Sequence, residues 1–463
     1  MLGVQLAELL DGDPPGVAEA LDLVTGFDDA LAFGFARLGE DRVAALAAMA
    51  GAFAGSPLGD RLGEAAGKVA AGSIADEHLT ALAGGRTALF GAVHDALLDR
   101  LDTALGRTRA PWEEAPAAAS PGNENLLSGC RSWLRELAIA GWRGVDHDLV
   151  TASGQVVEAL LAEPGLRRPA VLLDGLAAEL RASSPIATMD RLPVRRWADL
   201  WTRALLLSQG SGGAGSASTV SGRLLILGVD VHEHATAVQM QVHGILEPTG
   251  GGPSRLVRTG VAAGKTDTIV GPAVWRLLHR HPVLLGALAE HRSLDVRDLT
   301  LLDSGDLVWQ DGQASVGEPV DAFAMARVQL AGAVAPAVPP LDRHPVRIAE
   351  PVLLEGYKKG ADDTLDLGGN RLTVDVDRIP ACGPLTAKLV AASSACIGLV
   401  RWDGGRWLLQ PLAVQTKVKQ ETVEVHTGDW ALGPTDPKVV KAMAKDGDAV
   451  AILRERAGRL LRK

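Results

Sequence analysis

Side chains that could ligate a metal stand at alternate positions in the stretch GVDVHEH, which carries Asp230, His232 and His234. If one strand runs through all three, they project from the same face. Two imidazoles and a carboxylate suit a divalent metal such as Zn²⁺, Mn²⁺ or Fe²⁺. Such an ion would generate hydroxide from bound water near neutral pH, the chemistry of a metal-dependent hydrolase. Against this, VHEHA falls where a hairpin turn is expected, and a turn would scatter the side chains. Further ligands would have to come from His243, His279, His281, His291 or His344, whose spacing follows no metal-binding pattern. The competing reading is polar turn and surface histidines, with His279 and His281 at a helix end where imidazole meets the dipole.

A second chemical lead is RTGVAAGKTDT, with Gly264, Lys265 and Thr266 in the order of a phosphate-binding loop. A Walker A loop needs four residues between its glycines so that backbone N–H groups can wrap the phosphates. Here the earlier glycine is Gly260, which leaves the loop one residue short. The loop should also open a helix, but Gly271-Pro272 would stop one after little more than a turn. Nucleotide binding is therefore kept only as a second alternative, beside a loop joining a strand to a helix.

In PVRRWADLWTRALLL, Trp197, Trp201 and the leucines fall at helical spacing, with Arg195 and Arg196 interleaved. The reading favoured is a core helix with its charges outward. A docking face for a protein partner is the functional alternative, because Trp and Arg are enriched at interface hot spots. Nucleophile motifs are fewer: there is no G-x-S-x-G elbow, and Ser393-Ser394-Ala395-Cys396 has no nearby histidine. Cys130, in LLSGCRSWL, reads as a buried small hydrophobe.

The elements that must position these groups change character along the chain. Residues 1 to 207 show apolar positions at three- and four-residue spacing with few β-branched residues, so an all-helical half is expected, as a bundle or a short solenoid. A polar loop over 109–124 could subdivide it. SQGSGGAGSASTVSG (208–222) reads as a flexible Gly/Ser linker. Beyond it the pattern alternates: RLLILGVDV and ATAVQMQVHGIL read as an antiparallel hairpin joined through His232-Glu233-His234. An α+β domain over 223–334, a Pro-rich connector over 335–345 and a β-rich unit with a C-terminal helix over 346–463 complete a multidomain chain with antiparallel sheets. Asp403-Gly404-Gly405 is a hairpin turn signal, and Trp402 and Trp407 flank it as a cross-strand pair.

Composition bounds the rest. A chain of 463 residues, 47% hydrophobic and 22% charged, is expected to fold into two or three domains. Its net charge of −10 argues against a general nucleic-acid coat. The basic residues near the C-terminus read as a solvated amphipathic helix. Three separated cysteines make no disulfide framework or zinc knuckle, and no apolar run approaches the roughly 18 residues a membrane span needs. The N-terminus lacks a basic n-region, so no signal peptide is expected. A cytoplasmic protein without membrane or nucleic-acid partners is the expectation. With no complete catalytic constellation, the first functional reading is a non-enzymatic interaction or scaffold subunit bound to other protein subunits. The alternatives are the metal-dependent hydrolase and the nucleotide binder.

Overall fold

A computed structural model describes residues 1–113, 124–209, 217–418, 421–446 and 449–460. The first part is all helix: α1 (Gly3–Leu9), α2 (Val17–Phe33), α3 (Glu40–Gly51), α4 (Gly59–Ala70), α5 (Asp76–Leu105), α6 (Glu124–Ala140), α7 (His147–Ala162), α8 (Arg167–Ala182) and α9 (Val194–Leu207). Successive helices pack as hairpins, and α9 returns to contact α2 and α5. That return closes the array into a bundle rather than an open solenoid. Its core holds Phe27, Leu79, Leu134 and Leu173 together with the indoles of Trp142, Trp197 and Trp201. Of the expected loop, residues 114–123 lie outside the described residues. So do 210–216 of the expected linker, while 217–222 already belong to a strand.

The β-rich part begins with β1 (Ala217–Glu233), β2 (Ala237–Pro248) and β3 (Arg255–Gly264). A 3-10 segment, Gly271–Leu278, and α10 (Pro282–Ala289) lead to β4 (Arg292–Leu302), β5 (Asp306–Val308) and β6 (Ala314–Pro319). The sheet order is β1-β2-β3-β5-β4-β6, and the long β1 also pairs with β4 through Ala217–Leu224. Five strands thus close a ring in the order β1-β2-β3-β5-β4-β1, with β3 and β5 parallel and the helical segment between β3 and β4. This is the strand connectivity of an OB-fold barrel. Leu224, Val238, Met240, Val242, Leu294 and Leu299 share its core with Trp275 and Leu284 of the helical segments.

After α11 (Ala322–Gln329) a second sheet follows, built from β7 (Ala349–Glu355), β8 (Lys358–Lys359), β9 (Thr364–Leu367), β10 (Asn370–Val374), β11 (Ala395–Asp403), β12 (Arg406–Val418) and β13 (Glu421–His426), with α12 (Ala387–Ala391) before β11. Its pairings are antiparallel except β10 with β12, and Trp402 faces Trp407 across the Gly404-Gly405 turn. The helices α13 (Pro437–Asp446) and α14 (Ala449–Leu460) end the described chain, and Val450 packs into the barrel core.

The barrel's outer face meets this second sheet. Leu225, Leu227, Ile245 and Leu256 pack against Ile397 and Ala413, capped by Phe323 of α11. The helical bundle joins through α5, whose Leu97, Leu98 and Leu101 share a core with Ile348, Val352 and Trp402. Three units therefore converge on one side of the β1–β2–β3 surface. No helix among the described residues is long and apolar enough to cross a membrane.

Candidate functional site

One feature of β1 sets the chemistry of that junction. A β-bulge between Ile226 and Gly228 shifts the register by a residue. Before it, Leu225 and Leu227 face the second sheet; after it, Asp230 and His232 do. Without the bulge, strict alternation would send Asp230 into the barrel core. Gly228 makes this possible, because a Cβ there would stand 2.7 Å from the Leu412 Cβ.

Register then gathers a polar surface. Asp230 pairs with Gln241, and His243 with Arg258, so these side chains share a face of β1, β2 and β3. Gln241, His243 and Arg258 line a cleft of ≈ 380 Å³, together with His232, His94 of α5, Arg109, Asp306, Asp342, Arg347, Glu350 and Arg401, while Asp230 lies buried beneath it. Among the described residues, a neighbouring cleft of ≈ 370 Å³ has Glu113, Arg255 and Asp303 as its charged lining.

Asp230 is 2% exposed and has its partners already. Arg401 Nη2 donates to Oδ2 at 2.7 Å, Gln410 Nε2 donates to Oδ1 at 2.6 Å, and His232 Nε2 stands 2.7 Å from Oδ2. Burial alone would raise this carboxyl's pKa, but the His232 hydrogen bond and the Arg401 guanidinium hold it well below the usual range. A metal ion at Asp230 would have to displace a guanidinium. His234 is not on this face at all. The strand runs on through Glu233, the turn falls at 234–236, and the His234 N–H closes it on the Ala237 carbonyl at 2.8 Å. His234 is exposed.

Other parts of the cleft are also internally paired. Glu350 accepts from Arg107 at 2.9 Å and lies 3.2 Å from Arg109, and Asp306 accepts from Arg258 at 3.0 Å. Burial opposes the Glu350 charge, yet Arg109, Arg107 and Arg258 hold its pKa below the ordinary value. His243 is 1% exposed and its Nε2 has no hydrogen-bond partner among the described residues. Burial, reinforced by Arg258 and Arg401, pushes this imidazole down to about 3, so it is neutral at physiological pH.

Arg347 differs from the others. Its side chain is 48% accessible, and it bonds Asp342 at 2.7 Å. Asp342 is shared with Arg203 at 3.0 Å, and Arg168 stands 4.0 Å away. Burial, then repulsion from Arg203, with Arg258 and Arg168 adding to it against the opposing pull of Asp342, lowers the Arg347 pKa to about 10. An accessible guanidinium in a field of like charge is a place where an anion is favoured.

The remaining sequence leads lie elsewhere. Gly264 ends β3, and Lys265 is 8% exposed, its Nζ donating to the Ile269 carbonyl at 2.9 Å and standing 3.2 Å from Glu233. Thr266 Oγ1 meets Thr268 Oγ1 at 2.9 Å, and the chain continues into a 3-10 segment instead of an α-helix. The lysine thus closes its own loop. Trp197 and Trp201 are both 0% exposed. Their Nε1 atoms donate to Glu179 at 3.2 Å and to the Leu134 carbonyl at 2.8 Å, as a core helix requires. Arg195 and Arg196 are the accessible part of that helix, and they pair with Asp28 and Glu179.

The other histidines disperse. His344 stacks on Phe90 at 4.2 Å, His279 meets Arg454, and His281 lies 3.5 Å from Asp311. His291 instead meets Glu424, His426 and Asp429, three residues that no motif in the sequence singles out. An E-x-H alternation with an aspartate three residues on, in ETVEVHTGD, is the signal that could have found them.

No protein-family model matches this chain, no curated protein is significantly similar to it, and no solved structure matches it significantly.

Proposed function

We propose that the protein binds a small ligand bearing a phosphate, sulfate or carboxylate group in the cleft between the barrel, the second sheet and the helical bundle. The observation that carries this reading is Arg347, accessible inside the cleft while Arg203, Arg258 and Arg168 crowd it with positive charge. Arg258 and Arg401 are fixed by carboxylates, so their orientation is set before a ligand arrives, which reduces the ordering cost of binding. The cleft volume falls within the range of small-molecule sites. By fold analogy only, the β2–β3 face is where OB barrels bind their ligands. The net charge of −10 favours a small anion over a nucleic acid.

The same reading takes the chain as a cytoplasmic interaction subunit for other proteins. A ligand held by side chains of three units would brace them against one another. The three cysteines are buried and free, with the Cys130, Cys382 and Cys396 thiols pushed up to about 12 by burial, which suits a reducing compartment.

Thermal unfolding with millimolar phosphate, sulfate, citrate and nucleoside monophosphates tests the proposal, since a ligand bound to the native state must stabilise it. At least one of them should raise the melting temperature of the wild type in a saturable way, and Arg347→Ala should abolish the rise. No saturable rise with any of them, or an undiminished rise in Arg347→Ala, would reject the reading.

A further inference from the structure

His291, Glu424 and His426 are drawn from two β units. His291 immediately precedes β4 of the barrel, while Glu424 and His426, two residues apart on β13, share a strand face in the second sheet. One ligating atom from each lies within 4.8 Å of the other two. His426 Nε2 and Glu424 Oε2 are 3.3 Å apart. Two donors at about 2.0–2.2 Å from a tetrahedral Zn²⁺ stand roughly 3.3 Å from each other, so that edge of the polyhedron is already set. As a charge-assisted hydrogen bond the same contact would be long.

Further contacts orient these groups. Asp429 Oδ1 lies 2.7 Å from His291 Nε2, and its Oδ2 accepts the His426 N–H at 3.0 Å. Gln415 Nε2 donates to Glu424 Oε1 at 2.8 Å, leaving Oε2 turned toward His426. A carboxylate behind a ligating histidine is the usual outer support of a zinc site. His291 adopts φ 50°, a left-handed conformation that a non-glycine residue keeps only when its surroundings hold it there. Arg292 donates to the Gly317 carbonyl at 2.8 Å, and no ion pair joins an arginine or lysine to His291, Glu424, His426 or Asp429 among the described residues.

The geometry points to a divalent transition-metal site, best suited to Zn²⁺, in which His291, Glu424 and His426 are ligands. Asp429 orients His291 from behind, with one oxygen on its Nε2 and the other on the His426 N–H. The ion clamps the barrel to the second sheet, so it adds stability without any call on the arginine-lined cleft.

Untagged full-length protein, stripped with chelator and dialysed against micromolar Zn²⁺, should retain about one equivalent by mass spectrometry of the metal and gain melting temperature. Glu424→Gln and His426→Ala should lose the bound zinc, Asp429→Asn should weaken it by about 10–100-fold, and His232→Ala should keep it. Wild-type protein loaded with Co²⁺ should show the intense visible absorption of a tetrahedral site, a readout that needs no variant to fold. Absence of both stoichiometric zinc and the cobalt spectrum, or zinc lost in His232→Ala but kept in His426→Ala, would overturn the assignment.

Discussion

Two of the histidine–carboxylate groupings in the β-rich half have opposite surroundings. At Asp230 and His232, a guanidinium and a carboxamide already occupy the carboxylate. At His291, Glu424, His426 and Asp429, the neighbours of the carboxylates are the imidazoles themselves and a glutamine. Similar residue types thus lead to different chemistry. Where an arginine already bonds the carboxylate, a metal ion would have to displace it. Where no arginine or lysine forms an ion pair with the carboxylates among the described residues, the donors face one another.

Breaking the first grouping should have the largest effect. Arg401→Ala leaves the buried Asp230 carboxylate without its guanidinium, with only Gln410 and His232 to hold it, and should cost about 3 kcal/mol, measured by urea unfolding. A loss below about 1 kcal/mol would mean that Asp230 is not enclosed as described. Replacing both partners with apolar residues of similar volume, as in Asp230→Leu with Arg401→Met, should recover most of that loss.

Acid titration sharpens the contrast. His243 is held neutral, with its folded-state pKa at about 3 against an unfolded value of about 6.5. Between those values the unfolded chain binds the extra proton. The contribution is therefore fully present above pH of about 6.5 and is lost as pH falls toward about 3, at up to about 1.4 kcal/mol per pH unit. Asp230, whose pKa is depressed, adds to the loss only below its ordinary carboxylate range. His243→Gln should flatten stability between pH of about 6.5 and 4. An unchanged slope there would show that this imidazole titrates normally.

The smallest effect is expected at the accessible arginine. Arg347→Lys keeps the charge but not the planar fork, so it should leave folding stability within about 0.5 kcal/mol and weaken anion binding by about tenfold. Equal affinity in the two proteins would mean that only charge matters at this position.

Much of the fold was legible in the sequence, for identifiable reasons. Helical spacing and scarce β-branched residues marked the bundle, and Asp403-Gly404-Gly405 marked the turn that brings Trp402 opposite Trp407. Local pattern could not reveal that β1 pairs on both edges, that β3 runs parallel to β5, or that the strand persists through Glu233. The bulge at Gly228 decides where Asp230 points, yet it depends on Leu412, far along the chain. His291 was one of several unattached histidines, and its partners lie on a different sheet. Alternating positions such as 230/232 and 424/426 carry the same face information; the arginine that separates their chemistry comes from tertiary packing.

Anomalous scattering from crystals equilibrated with zinc and selenate tests this division most directly. A zinc peak should appear among His291, Glu424 and His426, and a selenium peak beside Arg347 in the cleft. Zinc bound at Asp230 and His232, with no selenate near Arg347, would contradict it.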